Sequence, residues 1–235
     1  MLYITGLFVR LRSELLNYRI EDIVLFAEND GYIVGLTGMS GAGKTTACEV
    51  FEKCGFGIVN CDLVSRIVVQ KGKPALSELK KKFGEEVILP DGNLNRKALG
   101  NLIFSDETSR KTFNELIYPY ISYEMIKTVK NYMDEGKSII LLDAPTLFES
   151  GTDDFCDAIV SVVADREVCI KRIMDRDSLT FEEAENRIKS QFLPEFYRKK
   201  SDYCVENLGQ KEELIATLKS IAKEIISESD GDEHA

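Results

Sequence analysis

The residues best equipped for chemistry stand together at Gly38-Met39-Ser40-Gly41-Ala42-Gly43-Lys44-Thr45-Thr46. They fit G-x-x-x-x-G-K-[ST], a loop that wraps a polyphosphate. The chemistry accounts for the residue types. A loop around an anion must aim backbone N–H groups inward, and glycine, with no Cβ, lets the chain come close. A helix starting at the loop's end adds its partly positive N-terminus. Lys44 brings a mobile full charge suited to the β- and γ-phosphates of a nucleotide. The Thr45 hydroxyl is an oxygen ligand suited to Mg²⁺. The competing reading is a mere glycine-rich turn. It is disfavoured because every fixed position of the pattern agrees and the flanks read as strand and helix.

Carboxylates and arginines supply the other candidates. Asp62 follows the short apolar segment Gly57–Asn60, and Asp143 closes the run Ser138-Ile139-Ile140-Leu141-Leu142. A residue at the C-terminal end of such a strand faces the edge of an open α/β sheet where ligands bind. Asp62 reads equally as a helix N-cap, and the two roles are compatible. Asp143 stands where an acid near Mg²⁺ would stand. Glu149 would orient groups in the site or cap a turn. Arg172 and Arg176 are four apart and share a helix face, as do Arg187 and Gln191. The stretch from Arg172 to Arg198 is rich in arginine within an acidic chain. Phosphoryl transfer needs cations over the migrating group and exclusion of water, and a helical lid would supply both. An exposed, salt-bridged helix pair is the alternative. Lys71, Lys73, Lys80, Lys81 and Lys82 read mainly as a solvated helix face, part of which would attract an anionic acceptor.

Periodicity outlines the elements that must position these groups. Tyr32–Thr37 reads as the strand before the loop, and Thr46–Cys54 as the helix after it, with Ala47, Val50, Phe51 and Cys54 on one face. Continuous apolar runs at 138–143 and 158–163 read as strands buried on both faces of a parallel sheet. Helices alternate with them, as right-handed βαβ units require. Residues 63–70, 74–83, 96–104, 109–132, 166–177, 180–191 and 211–227 read as helices, and Tyr203–Glu206 as a short strand. Thr180 with Glu183 forms a capping box. Pro90-Asp91-Gly92-Asn93 is a turn. Residues 1–30 precede the first strand as an extension. Within it Leu7, Leu11, Leu15 and Tyr18 recur at helical spacing, and 23–26 reads as an added strand or second helix. That extension is either a partner-binding arm or a loosely packed appendage. Residues 229–235 are acidic and expected to be disordered.

The bulk properties set limits. The chain has 235 residues, 44% of them hydrophobic, enough for one good-sized α/β domain or a domain with a small insert. Its formal net charge of −10 argues against general affinity for nucleic acid or an anionic membrane. No run reaches the length of a membrane span. The six cysteines make no C-x-x-C pair and the single histidine, His234, lies in the acidic tail, which disfavours structural zinc. With no secretory signal, reduced thiols and a cytoplasmic location are expected.

A phosphate loop alone does not separate a switch, a motor and a kinase. The chain carries no Asn-Lys-x-Asp guanine-reading motif. No glutamate follows Asp143, and no second ATPase signature is present. A short chain with late arginines favours a small-molecule kinase. The ordered set then resembles the dephospho-CoA kinases between about Tyr32 and Gly209. It comprises Gly35-Leu36-Thr37-Gly38 leading into the loop, Asp62-x-x-x-Arg66, Lys73-Pro74-Ala75-Leu76, Gly92-x-Leu94-x-Arg96-x-x-Leu99 and Phe104. It continues with Asp143-x-Pro145-x-Leu147-x-Glu149, Arg172-x-x-x-Arg176-Asp177, Arg187-x-x-x-Gln191, and Asp202-Tyr203 ahead of Asn207.

The resemblance implies a P-loop kinase-like three-layer α/β fold over 31–228. It would have a five-stranded parallel sheet, a helical acceptor-binding region at about 62–132 and a helical lid at about 176–200. It implies ATP with Mg²⁺ as cofactors and dephospho-CoA as acceptor, phosphorylated on its ribose 3′-hydroxyl. Asp62 matches the proposed catalytic aspartate beside Lys44. ATP would be held by 38–46, Arg172, Arg176 and Asn207, the last in the turn that borders the adenine. The acceptor would be held by Asp62, Arg66, Arg96 and Glu149, and the metal by Thr45 and Asp143. A monomer or weak homo-oligomer is expected. Two positions depart from the pattern. Tyr118-Pro119 stands where His-Pro is common, and Phe196-Tyr197-Arg198 would shift a lid cation to Arg198.

Overall fold

Tyr32–Gly38 forms strand β1, buried from Ile33 onward, and runs straight into the glycine loop. The structure, a computed structural model, describes residues 31–232; the extension at 1–30 and the last residues, 233–235, lie outside them. After the loop come α1 (Lys44–Lys53), β2 (Gly57–Asn60), α2 (Cys61–Ile67), α3 (Pro74–Phe83), α4 (Arg96–Ser105) and α5 (Glu107–Asp134). Then follow β3 (Ile139–Asp143), β4 (Ala158–Val163), α6 (Arg166–Asp177), α7 (Phe181–Lys189), α8 (Pro194–Lys200), β5 (Tyr203–Glu206) and α9 (Lys211–Asp232). The strands form one parallel sheet in the order β2-β3-β1-β4-β5. β1 is central because its Val34 and Leu36 are fully buried, as a strand covered by helices on both faces must be.

The chain divides into two compact units. Among the described residues, one comprises 61–130, and the other 31–60 with 131–232. The first is helical, with Val69, Leu79, Val87, Leu99 and Ile117 at its centre. The second holds the sheet. Its core joins Val34, Leu36, Leu141, Val160 and Val162 to Phe51 of α1, Ile173 of α6 and Leu218 and Ile225 of α9.

The start of the glycine loop is fixed by close approach. Gly38 has φ 131, and a Cβ there would overlap the Val162 carbonyl of β4. Only glycine meets both demands. Gly38→Ala is therefore expected to cost about 3 kcal/mol, from a forbidden φ plus a backbone clash. In a chain of this size that lowers Tm by roughly 6–12 °C. A thermal melt followed by circular dichroism checks it, and an unchanged Tm contradicts the assignment.

Several boundaries differ from the sequence reading, and the following bear on the site or the tail. α2 begins at Cys61, directly off β2, so Asp62 lies inside the first turn rather than at the N-cap. Its charge still meets the helix's positive end, and the Ser65 hydroxyl donates to its carbonyl at 2.8 Å. α7 ends at Lys189 with Ser190 as C-cap. Gln191 has left the helix, its N–H turning back to Ile188 O at 3.2 Å, so it shares no helix face with Arg187. After Gln191 the chain starts a further helix, α8, at Pro194, whose fixed φ suits a first helical position. α9 continues to Asp232, overturning the disorder expected from 229 for Ser229–Asp232. Glu228 explains it: its carboxylate accepts from Tyr203 at 2.9 Å and Tyr32 at 3.4 Å, tying the last turns to the sheet.

Candidate active site

The loop is shaped by its own amides. Met39 N–H donates to Val162 O, Ala42 N–H to Met39 O and Ala47 N–H to Gly43 O, each at 3.1 Å. Met39 and Ala42 bury their side chains in the core, at 3% and 0% exposure, which anchors the loop from below. α1 starts at Lys44, with Gly43 as N-cap and no side chain capping it. A helix N-terminus uncapped by its own chain is suited to an anion. Lys44 Nζ contacts Gly38 O at 3.4 Å, so the ammonium lies folded along the loop. Thr45 is exposed, at the same end of α1.

Asp143 ends β3, in register with Leu36 of β1 and Asn60 of β2. Two neighbours that the sequence reading did not single out hold it. Asn60 Nδ2 donates to Asp143 Oδ2 at 3.1 Å, and the Cys48 thiol of α1 hydrogen-bonds to the same carboxylate. Burial, reinforced by the Asp143 charge, pushes that thiol up to about 12, so it stays a protonated donor. Register was the available signal for Asn60: it occupies the last position of its strand, as Asp143 does. Thr37, earlier on β1, donates to Pro145 O at 3.3 Å and so braces the turn after Asp143.

The late elements reach the loop with three polar side chains. Arg172 Nη1 of α6 donates to Gly41 O at 3.1 Å. Gln191 Oε1 accepts from Ser40 N–H at 3.0 Å. Asn207 Nδ2, just after β5, donates to Ala42 O at 2.7 Å, and its Oδ1 accepts from Gly209 N–H at 3.1 Å. Asn207 is 7% exposed and backs Gly43, where a Cβ would come within 2.9 Å of its Nδ2. The structure therefore shows Asn207 as a brace of the loop.

Arg172 and Arg176 share a face of α6 but not a partner. Arg176 is bidentate to Asp177 at 2.7 and 2.8 Å. Arg187 donates to the same carboxylate at 2.6 Å. The paired guanidiniums hold the Asp177 carboxyl below its usual range, Arg176 contributing first. Arg198 pairs with Glu206 at 2.9 Å and Glu195 at 3.2 Å. Its neighbours Phe196 and Tyr197 build an aromatic cluster with Phe148 and Phe192 instead. Tyr197 is buried and, chiefly for that reason, pushed up to about 12, with the charge of Glu149 adding to the shift. Glu149 itself is exposed in the turn after β3.

In the helical unit, Asp62 and Arg66 are exposed at the two ends of α2. Arg96 is the exposed first residue of α4, whose N-cap Asn95 accepts from Ala98 N–H at 3.1 Å. Tyr118 is 39% exposed on α5. Of the lysines, Lys73 pairs with Glu124 and Lys80 with Glu85, each at 3.0 Å. Among the described residues no group of three or more His, Cys, Asp or Glu is placed to hold a metal. None of their helices is long and apolar enough to cross a membrane. Among them no disulfide joins the cysteines.

A central parallel strand that feeds a glycine loop and an uncapped helix, with a carboxylate ending the neighbouring strand, defines a P-loop kinase-type protein. The model of the dephospho-CoA kinase family matches residues 32–213. The chain belongs to the dephospho-CoA kinase family and is an enzyme of that type. It is 36% identical to the dephospho-CoA kinase of Listeria monocytogenes over 81% of this chain and 94% of that protein. It is 35% identical to that of Arabidopsis thaliana, over 82% of this chain and 83% of the relative. Among solved structures it is similar to TT1252 from Thermus thermophilus, with TM-score 0.73 and 27% identity over 83% of this chain and 97% of the other.

Proposed function

We propose that this protein transfers the γ-phosphoryl group of ATP to the ribose 3′-hydroxyl of dephospho-coenzyme A, giving coenzyme A and ADP. One observation carries the reading: in a chain of this family, the phosphate loop opens at the C-terminal end of the central strand, with Asp143 ending the strand alongside. The amides at the N-terminus of α1 would cradle the polyphosphate, on a loop whose Met39, Ser40 and Ala42 amides hold its curvature, with Lys44 over the β- and γ-phosphates. Arg172, already on the loop, would add charge over the migrating group, and Arg176 would join it on release from Asp177. Asn207 would border the adenine while holding the loop. Asp62 would accept the proton of the attacking hydroxyl. Arg66, Arg96 and Glu149 would bind and orient the acceptor.

The donors at the sheet edge fit Mg²⁺. A carboxylate and a hydroxyl are hard oxygen ligands, and Mg²⁺ is usually held by one or two carboxylates plus substrate phosphates rather than by an all-protein cage. Asp143 and Thr45 would hold it, and when bound it neutralises charge on the phosphates. Asn60 and Cys48 would keep the Asp143 carboxylate turned toward that position. Asn60→Ala is accordingly expected to weaken divalent-ion binding about tenfold. Mn²⁺ titration by electron paramagnetic resonance, with a non-hydrolysable ATP analogue present, reads this directly. An unchanged affinity removes Asn60 from the site.

The assay for the activity uses purified protein, MgATP and a panel of acceptors, with the position of the new phosphate read by mass spectrometry. Phosphorylation of dephospho-CoA on the 3′-oxygen is expected, in preference to nucleoside monophosphates. Faster turnover of another acceptor, or ATP binding with no acceptor turnover, overturns the proposal.

A further inference from the structure

Three consecutive loop residues are each tied by one side chain from the last third of the chain: Ser40 by Gln191, Gly41 by Arg172 and Ala42 by Asn207. Gln191 differs from the other two. Arg172 and Asn207 donate to carbonyls, whereas Gln191 accepts from an amide, Ser40 N–H at 3.0 Å. An N–H has no other way to bond, so the atom that meets it must be the side-chain oxygen. Gln191 reaches Ser40 because α7 stops at Lys189 and the chain swings out before Pro194 opens α8. The link between those helices is pinned on its far side too. Phe192 stacks on Phe196 with ring centroids 3.9 Å apart, and Phe196 packs edge-on against Phe148 of the turn after β3.

We propose that Gln191 is a positioning residue for the phosphate loop and couples its geometry to the docking of the α7–α8 segment; this rests on the loop being the ATP site. Ser40 is 9% exposed with the segment docked, and lifting the segment removes the acceptor of its N–H. The Met39, Ser40 and Ala42 amides are all satisfied by protein oxygens. They set the loop's curvature, while the amides at the start of α1 meet the anion. With Gln191 docked, the loop waits in its phosphate-ready shape. Undocked, it must be reordered by the nucleotide, which weakens binding without touching the chemical step.

The test has two arms. Hydrogen exchange of the 38–43 segment in nucleotide-free protein reads the contact itself, whatever the loop binds. Gln191→Leu should speed exchange at Ser40 about tenfold, whereas Gln191→Glu, which keeps an acceptor oxygen, should retain protection. Steady-state kinetics should then show the KM for ATP of Gln191→Leu raised roughly tenfold, with kcat within about twofold of the parent. Unchanged exchange at Ser40 in Gln191→Leu overturns the proposal. So does a fall in kcat at constant KM. Should Gln191→Leu fail to fold, loss of Ser40 protection in Gln191→Glu is the overturning result. Failure of the parent protein to bind ATP would instead sink the assignment of the loop, which separates the two.

Discussion

Lys44→Ala lowers kcat/KM for transfer from ATP by roughly 10³-fold, the upper range for losing one preorganised charge donor at a reacting centre. Negative charge on the migrating phosphoryl spreads over its oxygens in the transition state, and the loop's amides carry only partial charges against it. Lys44 is the full positive charge within the loop sequence itself. The fold should not suffer. Nζ meets the Gly38 carbonyl at 3.4 Å, the long end of a hydrogen bond. Alanine at the first position of α1 is a good helix former. The check is kcat and KM for ATP at saturating acceptor, with a thermal melt beside them. Both kinetic constants should suffer while Tm stays within a few degrees. Lys44→Arg should not restore activity, since a planar fork does not replace a compact ammonium on a flexible stem. A loss below about tenfold would move the catalytic charge elsewhere, with Arg172 next in line.

Asp62→Asn lowers kcat by roughly 10²–10⁴ while leaving MgATP affinity near its parent value, the range expected when a general base is lost. The amide has the shape of the carboxylate but does not take a proton. The side chain is exposed in the first turn of α2, and the visible bond at this residue uses its backbone carbonyl. Loss of its charge next to a helix N-terminus costs about 0.5 kcal/mol. A stability effect therefore stays small and the kinetic effect stands apart from it. Rapid-quench measurement of the chemical step in a single turnover separates this from product release. A fall of less than about tenfold assigns Asp62 to stabilising the start of α2 and leaves catalysis to positioning and charge, which a loose transition state allows.

Much of this is legible in the sequence. β1, β3, β4 and β5 are short and apolar or bounded by turn residues. A period of 2 or a continuous apolar run is a local property, so their limits followed from composition. The loop was legible because every demand on it is local: glycine where the backbone turns, lysine and threonine where the helix begins. The end of α9 was misjudged because it depends on distant partners: Tyr32 and Tyr203 hold Glu228, so the helix runs on.

The sequence by itself determined a phosphate loop on a parallel α/β sheet, the carboxylate that ends β3 and a late arginine-rich helical pair. These follow from side-chain period, backbone permissiveness and charge, which act over a few residues. Only the tertiary structure decided which polar side chains serve the loop. Arg172 and Arg176 are equivalent by spacing, yet one reaches Gly41 and the other is held by Asp177. Asn60, Cys48, Gln191 and Asn207 find their partners across 83, 95, 151 and 165 residues of chain, distances over which no local pattern carries information. Partnership at that range is set by sheet register and by where helices stop, which pack before any single hydrogen bond can choose.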